Sequence, residues 1–254
     1  KAVELLICED ELKAEELAKS INETNTQRRD VDLGTTVEAL QMAESDPVHI
    51  SRKTTVLFNP TWHKGIVGIV ASRMIEKYYR PTIILTESDG KITGSARSVR
   101  EFDIYEALEK CAAELEQFGG HKFAAGLTLK KENLNSFREL FEKVVSKNIT
   151  EDQLTPTVEI DLEISLDEIN EKVLRILKQF HPHGPGNMTP IFCTRKIFDT
   201  GWGKVFGNNH LKVEVFSKTN PNTRFQAIAF DKGDYINFFQ RKIPMDIVYK
   251  IQEQ

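Results

Sequence analysis

Apolar positions along the chain recur with two different periods, and the switches between them divide it. Leu5, Leu12, Leu17 and Ile21 stand at helix-compatible spacing among acidic neighbours, predicting a helix to about Glu23. An Asn/Thr/Arg-rich stretch predicts a break, and a second helix is expected from about Leu33 to Glu44. Asp46-Pro47 ends it, because the residue before proline is pushed out of helical geometry. Thr54 to Phe58 is a β-branched run suited to a buried strand. Gly65 to Tyr79 then sets Ile66, Ile69, Val70, Met74 and Tyr78 along one helical side, and Thr82 to Thr86 is a second apolar strand. Strand, helix and strand in so short a span form a βαβ unit, with two parallel strands and a right-handed crossover.

Lys91 to Ser98 reads as a further strand. From Phe102 to Phe118 the residues Ile104, Leu108, Cys111, Leu115 and Phe118 keep three- and four-residue spacing, which predicts a helix running into Gly119-Gly120. That double glycine is expected to end the helix, to adopt positive φ and to hold His121 at the turn. Ala124 to Leu129 predicts a strand and Asn133 to Lys147 a helix. The expected fold class is α/β (α+β overall): helices over 1–46, a mixed-sheet α/β domain over 47–150, and a second domain over 151–254. In that last domain Thr157 to Ile164 alternates strictly, as a strand with one wet face does, and Leu166 to Phe180 is helical. Short strands follow at Ile191–Phe198, His210–Phe216, Arg224–Phe230 and Asp246–Ile251, which suits a small OB-fold-like β-barrel.

Composition narrows the function classes. Apolar residues make up 40% and charged residues 28% of the 254, a globular balance. No apolar run approaches the length of a membrane span and no signal-peptide pattern opens the chain. Cys8, Cys111 and Cys193 lie far apart, suggesting neither a disulfide framework nor a zinc site, and a reducing cytoplasmic setting is expected. The net charge of −4 argues against bulk coating of nucleic acid, yet residues 195–250 are basic while residues 1–50 are strongly acidic. The chain opens directly on a helical pattern without Met, which reads as a start inside a larger protein.

Three segments combine small residues with a His or Arg: Trp62-His63-Lys64-Gly65-Ile66-Val67-Gly68, Gly94-Ser95-Ala96-Arg97-Ser98 and Gly119-Gly120-His121. Each falls at an element end, where open α/β sheets place ligands. Arg97 can fork onto a phosphate, Ser95 can add a hydroxyl, and the Gly119 and Gly120 amides can line an anion site. Taken singly, each has a plainer account: loop packing for Trp62 and His63, or a surface carboxylate for Arg97. No Asp/His constellation fit to hold two catalytic metals is present, and His181-Pro182-His183 reads as a turn.

The segment from Trp62 to Arg73, Gly94 to Ser98, and Phe118 to Leu127 resemble the three signature segments of the RecJ family of single-stranded-DNA exonucleases in the DHH phosphoesterase superfamily. His183-Gly184-Pro185-Gly186-Asn187-Met188 resembles the turn that family carries before its OB-fold, with Met188 where the family usually has proline. The resemblance implies a DHH-associated domain preceded by connector helices. It also implies that an N-terminal DHH domain, with its Mn²⁺ or Mg²⁺ ligands, lies outside this chain, so that this fragment binds no metal and is inactive alone. It further implies 5′→3′ hydrolysis of single-stranded DNA in recombination and repair, with His121 stabilising charge on the phosphoryl oxygens. Ser95, Arg97, Gly119, Gly120 and His63 would bind the substrate end, and Lys204, Lys212 and Arg224 would contact phosphates along the strand. For Trp202, Phe206 and Phe225 core packing is the preferred reading, with base stacking as the alternative. Expected partners are single-stranded DNA and a repair protein such as a helicase or single-strand-binding protein, with no membrane. Two other functions stay open: a non-catalytic single-strand-binding module, and a DHH-family phosphodiesterase for oligoribonucleotides or cyclic dinucleotides.

Overall fold

The predicted βαβ unit is present: β1 (Thr55–Phe58) and β2 (Thr82–Ser88) pair in parallel, joined through α4 (Val67–Tyr78). The computed structural model describes residues 1–239, 241 and 243–253, which divide into two compact units, 1–156 and 157–254.

In the first unit, α1 (Ala2–Leu6) precedes α2, which runs unbroken from Glu11 to Ser45. The expected break near residue 24 does not occur. Thr24 and Thr26 turn their hydroxyls onto the carbonyls of Ser20 and Asn22 inside the helix, and no proline interrupts the hydrogen-bond ladder. Asp46 ends α2 and caps the one-turn α3 (Pro47–Ser51) by accepting from the Val48 N–H at 2.9 Å. The sheet runs β1-β2-β3-β5-β4, with β3 Lys91–Arg97, β4 Gln117–His121 and β5 Ala124–Leu129.

β4 is a correction. The helix expected over 102–118 is only α5 (Ile104–Glu109) and a short 3₁₀ turn at Ala112–Glu114, after which the chain enters an edge strand. Ile104, Leu108 and Cys111 are buried, so the periodicity was real but ended early. Pairing with β5 claims Gln117 to His121 more strongly than helical propensity could hold a Gly-Gly pair. α6 (Leu134–Asn148) matches its pattern, burying Phe137, Phe141 and Val145.

Two cores flank the sheet. On one face Ile83, Leu85, Ala96, Ala125, Leu127 and Leu129 meet residues from α5 and α6. On the other, Leu57 and Ile84 meet Val67, Val70, Ala71 and Met74 of α4 and Ala39 and Ala43 of α2. On this second face α4 packs chiefly over β2 and β3, and the β5-β4 end of the sheet lies beyond it.

Near the β1 edge, His49 is 4% exposed, 3.1 Å from Thr55 Oγ1 and 2.9 Å from the guanidinium of buried Arg80. Burial, and then the adjacent Arg80 charge, push the imidazole down to about 4 from its usual 6.5. The neutral form is the one the fold favours. The resulting stability, roughly 3 kcal/mol, is fully present above pH 6.5 and is lost as pH falls toward 4. Denaturant unfolding between pH 7.5 and 4 is therefore expected to show a steeper acid loss in the parent than in His49→Gln; identical slopes would remove His49 from the account.

In the second unit β6 is only Leu162–Glu163, paired in parallel with β7 (Phe192–Phe206). The strand expected over 157–164 is otherwise irregular. Val158, Ile160 and Leu162 are exposed, so the alternation there does not mark a core face. The helical pattern beginning at Leu166 resolves into a 3₁₀ turn with a capping box and α7 (Glu171–Gln179). β8 (His210–Ser217), β9 (Asn220–Ala229) and β10 (Met245–Tyr249) complete a sheet of order β10-β7-β8-β9, with α8 (Ile236–Phe239) before β10. The OB-like strand content is there, but among the described residues no pairing joins β9 to β10, so the barrel is open. Leu166, Ile197, Leu211, Val213, Val215 and Met245 form its core. Among the described residues no helix is long and apolar enough to cross a membrane.

Candidate functional site

The β3-β5-β4 end of the first sheet brings two of the three glycine-rich segments onto one face. Arg97 and His121 both pair with Ala124, one from each side of β5, while Ser95 and Gly119 both pair with Gly126. Residues directly opposite each other in a sheet share a face. Ser95, Arg97, Gly119 and His121 therefore surround a floor made of Gly126 and Ala124. Arg97 and His121 are separated by two strand spacings, roughly 10 Å.

The third segment closes this groove through Gly68, in the first turn of α4. A Cβ there would stand 2.8 Å from Arg97 Nη2 and 3.2 Å from Ser95 Oγ, so glycine lets the helix start lie against both groups. Arg97 Nη1 donates to Ser95 Oγ at 2.6 Å and to the Ala96 carbonyl at 2.9 Å, which aims the guanidinium across the face. No carboxylate pairs with Arg97 among the described residues, against the surface-pair alternative. Burial alone lowers its proton affinity. A half-buried cation without a counterion favours a bound anion.

His121 is exposed at the start of the two-residue β4-β5 turn. The turn is pinned from outside: Ser98 N–H donates to the Phe123 carbonyl at 3.0 Å and Ile104 N–H to that of Lys122 at 3.2 Å. His121 Nδ1 accepts from the Phe123 N–H at 3.2 Å, so the neutral ring carries its proton on Nε2, the free nitrogen. The double glycine works differently from the sequence expectation. Only Gly120 takes positive φ, at +152°, and a Cβ on it would lie 2.3 Å from the Ala124 carbonyl oxygen. It permits the tight hairpin, whereas Gly119 keeps the groove floor low.

His63 is exposed at the entrance to α4, where its Nδ1 accepts from the Gly65 N–H at 3.0 Å. It shapes that turn and makes no hydrogen bond to Ser95 or Arg97 among the described residues. Trp62 beside it is buried, as the packing account expected. Its indole donates to Glu38 at 2.9 Å and its carbonyl accepts from Thr86 Oγ1 at 2.5 Å, tying the loop to α2 and β2. Arg73 on α4 also pairs with Asp32 on α2 at 2.6 Å.

In the second unit Lys204 and Lys212 pair directly across β7 and β8, and Arg224 lies on the same outward face through its pairing with Phe216. The preferred core reading fails for two aromatics here: Trp202 is 47% and Phe206 37% exposed. Lys204 Nζ lies 5.8 Å from the Trp202 ring, and Phe206, His210 and Phe230 form an edge-to-face row with centroids 5.6 and 5.3 Å apart. Phe225 does pack inward with the core. His210 and Phe230 were not singled out from sequence; His210 pairs with Phe206 across β7 and β8, and Phe230 directly follows β9. Arg224 is partly engaged by Glu214 at 3.4 Å, whereas neither Lys204 nor Lys212 has a carboxylate partner among the described residues.

Among the described residues no group of three or more His, Cys, Asp or Glu could hold a metal ion, so nothing here fits a divalent-metal cage. Comparison with known proteins now gives the site its setting. Residues 51–147 match the DHHA1 domain and residues 160–254 the RecJ OB domain. Single-stranded-DNA-specific exonuclease RecJ of Bacillus subtilis (strain 168) is 33% identical over 92% of this chain and 29% of its own length. RecJ of Dickeya dadantii (strain 3937) is 36% identical over 84% of this chain and 38% of its own. The crystal structure of RecJ in complex with Mn²⁺ from Thermus thermophilus superimposes with a TM-score of 0.76 at 24% identity, covering 98% of this chain and 34% of that one. At that identity the likeness speaks to fold alone. The chain spans about a third of the length of the relatives it matches. The chain thus carries a DHHA1 domain followed by a RecJ OB domain, in the order in which the RecJ relatives match it.

Proposed function

We propose that this chain is the substrate-gripping part of a RecJ-type single-stranded-DNA exonuclease. The observation that carries the reading is the shared face of Arg97 and His121 across the floor of Ala124 and Gly126, with no carboxylate paired to Arg97 among the described residues. The 5′ phosphate would take a forked pair from Arg97 with a second donor from Ser95. Gly119 and Gly126 let the sugar–phosphate backbone approach the strands closely, whereas Gly120 faces the other side of the sheet with Ala125 and serves the hairpin. His121 Nε2–H would donate to an oxygen of the scissile phosphoryl group, on which negative charge grows during hydrolysis. His63 supports this wall by shaping the entrance to α4.

On the second unit, Trp202, Phe206 and Phe230 offer faces on which bases can stack, with Lys204, Lys212 and Arg224 near the passing phosphates. The Mn²⁺ and Mg²⁺ of the neighbouring RecJ structures would be held outside this chain, since its described residues form no such cage. A helicase that delivers the single strand, or a single-strand-binding protein, is the expected protein partner.

The test is a titration of the chain with single-stranded DNA bearing either a 5′ phosphate or a 5′ hydroxyl, and with a cyclic dinucleotide. Tighter binding of the phosphorylated end is expected. Trp202→Ala should weaken both DNAs alike, by about 1–3 kcal/mol if one base stacks there. Equal affinity for the two ends, or preference for the cyclic dinucleotide, would overturn the reading.

A further inference from the structure

A separate cavity of about 440 Å³ opens at the β1 edge of the first sheet, the edge opposite β4. It lies between the C-terminal end of α2 and α3 on one side and α6 on the other. Met42, Val48, Val56 and Leu57 supply apolar wall, and Arg52 and Arg138 supply charge.

The two guanidinium groups differ in their commitments. Arg52 pairs with the exposed carboxylate of Glu139. Arg138 makes no hydrogen bond or ion pair among the described residues, and its Nε–H is buried with no acceptor. Asp46, the other carboxylate at the cavity, is occupied in capping α3. Burial, and then the like charge of Arg52, disfavour the protonated Arg138, and the nearby charges of Asp46 and Glu139 offset this only in part. A guanidinium kept half-buried beside another cation, with a donor facing no acceptor, is an incomplete arrangement. A doubly charged oxyanion would complete it, accepting from the Nε–H and Nη–H fork of Arg138 while drawing on Arg52.

We propose that this cavity is a second anion site that takes a small phosphomonoester of nucleotide size, its phosphate on Arg138 and Arg52 and its organic body against Met42, Val48, Val56 and Leu57. The volume is in the range of small-ligand pockets, and the mixture of apolar wall with a few convergent polar groups is their usual make-up. The site is independent of the groove at Arg97 and does not rest on the function assigned there.

The experiment uses the whole chain carrying Arg97→Ala, so that phosphate binding in the groove does not interfere. It is titrated with a deoxynucleoside 5′-monophosphate while the arginine Nε–H resonances are followed. The Arg138 signal should move saturably, inorganic phosphate should compete, and the parent nucleoside should not bind. Adding Arg138→Gln should raise Kd at least tenfold, with thermal melting close to that of the parent because Arg138 has no hydrogen bond or ion pair to lose among the described residues. Arg138→Lys, which keeps the charge without the fork, should recover part of the affinity, and it decides the matter if the glutamine variant melts early. No saturable shift by 10 mM nucleotide, an unchanged Kd in both Arg138 variants, or equal binding of nucleoside and nucleotide would overturn the proposal. Acetate competing as well as phosphate would overturn its phosphate assignment.

Discussion

In an intact RecJ-type enzyme containing this chain, His121→Ala is expected to lower kcat by about 10²–10³-fold while the affinity for single-stranded DNA changes little. The expectation follows from how the ring is held. The Phe123 N–H occupies Nδ1, which leaves Nε2–H as a fixed donor, and the turn beneath it is clamped by Ser98 and Ile104. A donor placed before the reaction begins contributes most where charge is developing, so its loss should appear in turnover rather than binding. His121→Gln, which keeps an N–H at nearly the same reach, should recover part of the rate. If single-turnover kinetics showed an unchanged chemical step and a weakened Kd, His121 would be a binding residue and no more.

Arg97→Ala is expected to cost roughly 1.5–3 kcal/mol, or about 10- to 150-fold, in binding a 5′-phosphorylated end, and much less for a 5′-hydroxyl end. Among the described residues no carboxylate is released when this guanidinium is removed, so the loss reports the ligand contact with little compensation from new partners. Ser95→Ala should show the same end preference at smaller size. Gly68→Val offers a second approach. Its side chain would occupy the space 2.8 Å from Arg97 Nη2, displacing the guanidinium without removing it, and should imitate part of the arginine loss. Equal losses for both DNA ends in Arg97→Ala would take the 5′ phosphate away from this residue.

Much of the fold was written in local pattern. Thr54–Phe58, Gly65–Tyr79 and Thr82–Thr86 announce a βαβ unit because each run buries its apolar side over the whole element. The three glycine-rich segments could be picked out from their residue types, and strand pairing brings Ser95, Arg97, Gly119 and His121 of two of them onto one face. Errors came where local preference met long-range pairing. Leu115 and Phe118 continue the helical spacing of Ile104, Leu108 and Cys111, yet β5 takes residues 117–121 as an edge strand, and no local window contains β5's demand. At Val158, Ile160 and Leu162 the alternation was strict, but only Leu162 and Glu163 found a partner strand.

By itself, then, the order of residues determined which chemical groups this protein has and the period of each stretch. Those periods are short-range properties, set by 3.6 residues per helical turn and two per strand repeat. Only the tertiary structure decided that Arg97 and His121 flank the same alanine, that Gly68 rather than His63 touches the arginine, and that Trp202 and Phe206 face outward. Those are matters of strand register and of which face a helix covers. A one-residue slip in register would send every one of these side chains to the other face, and the hydrogen bonds that prevent it join residues far apart in the chain.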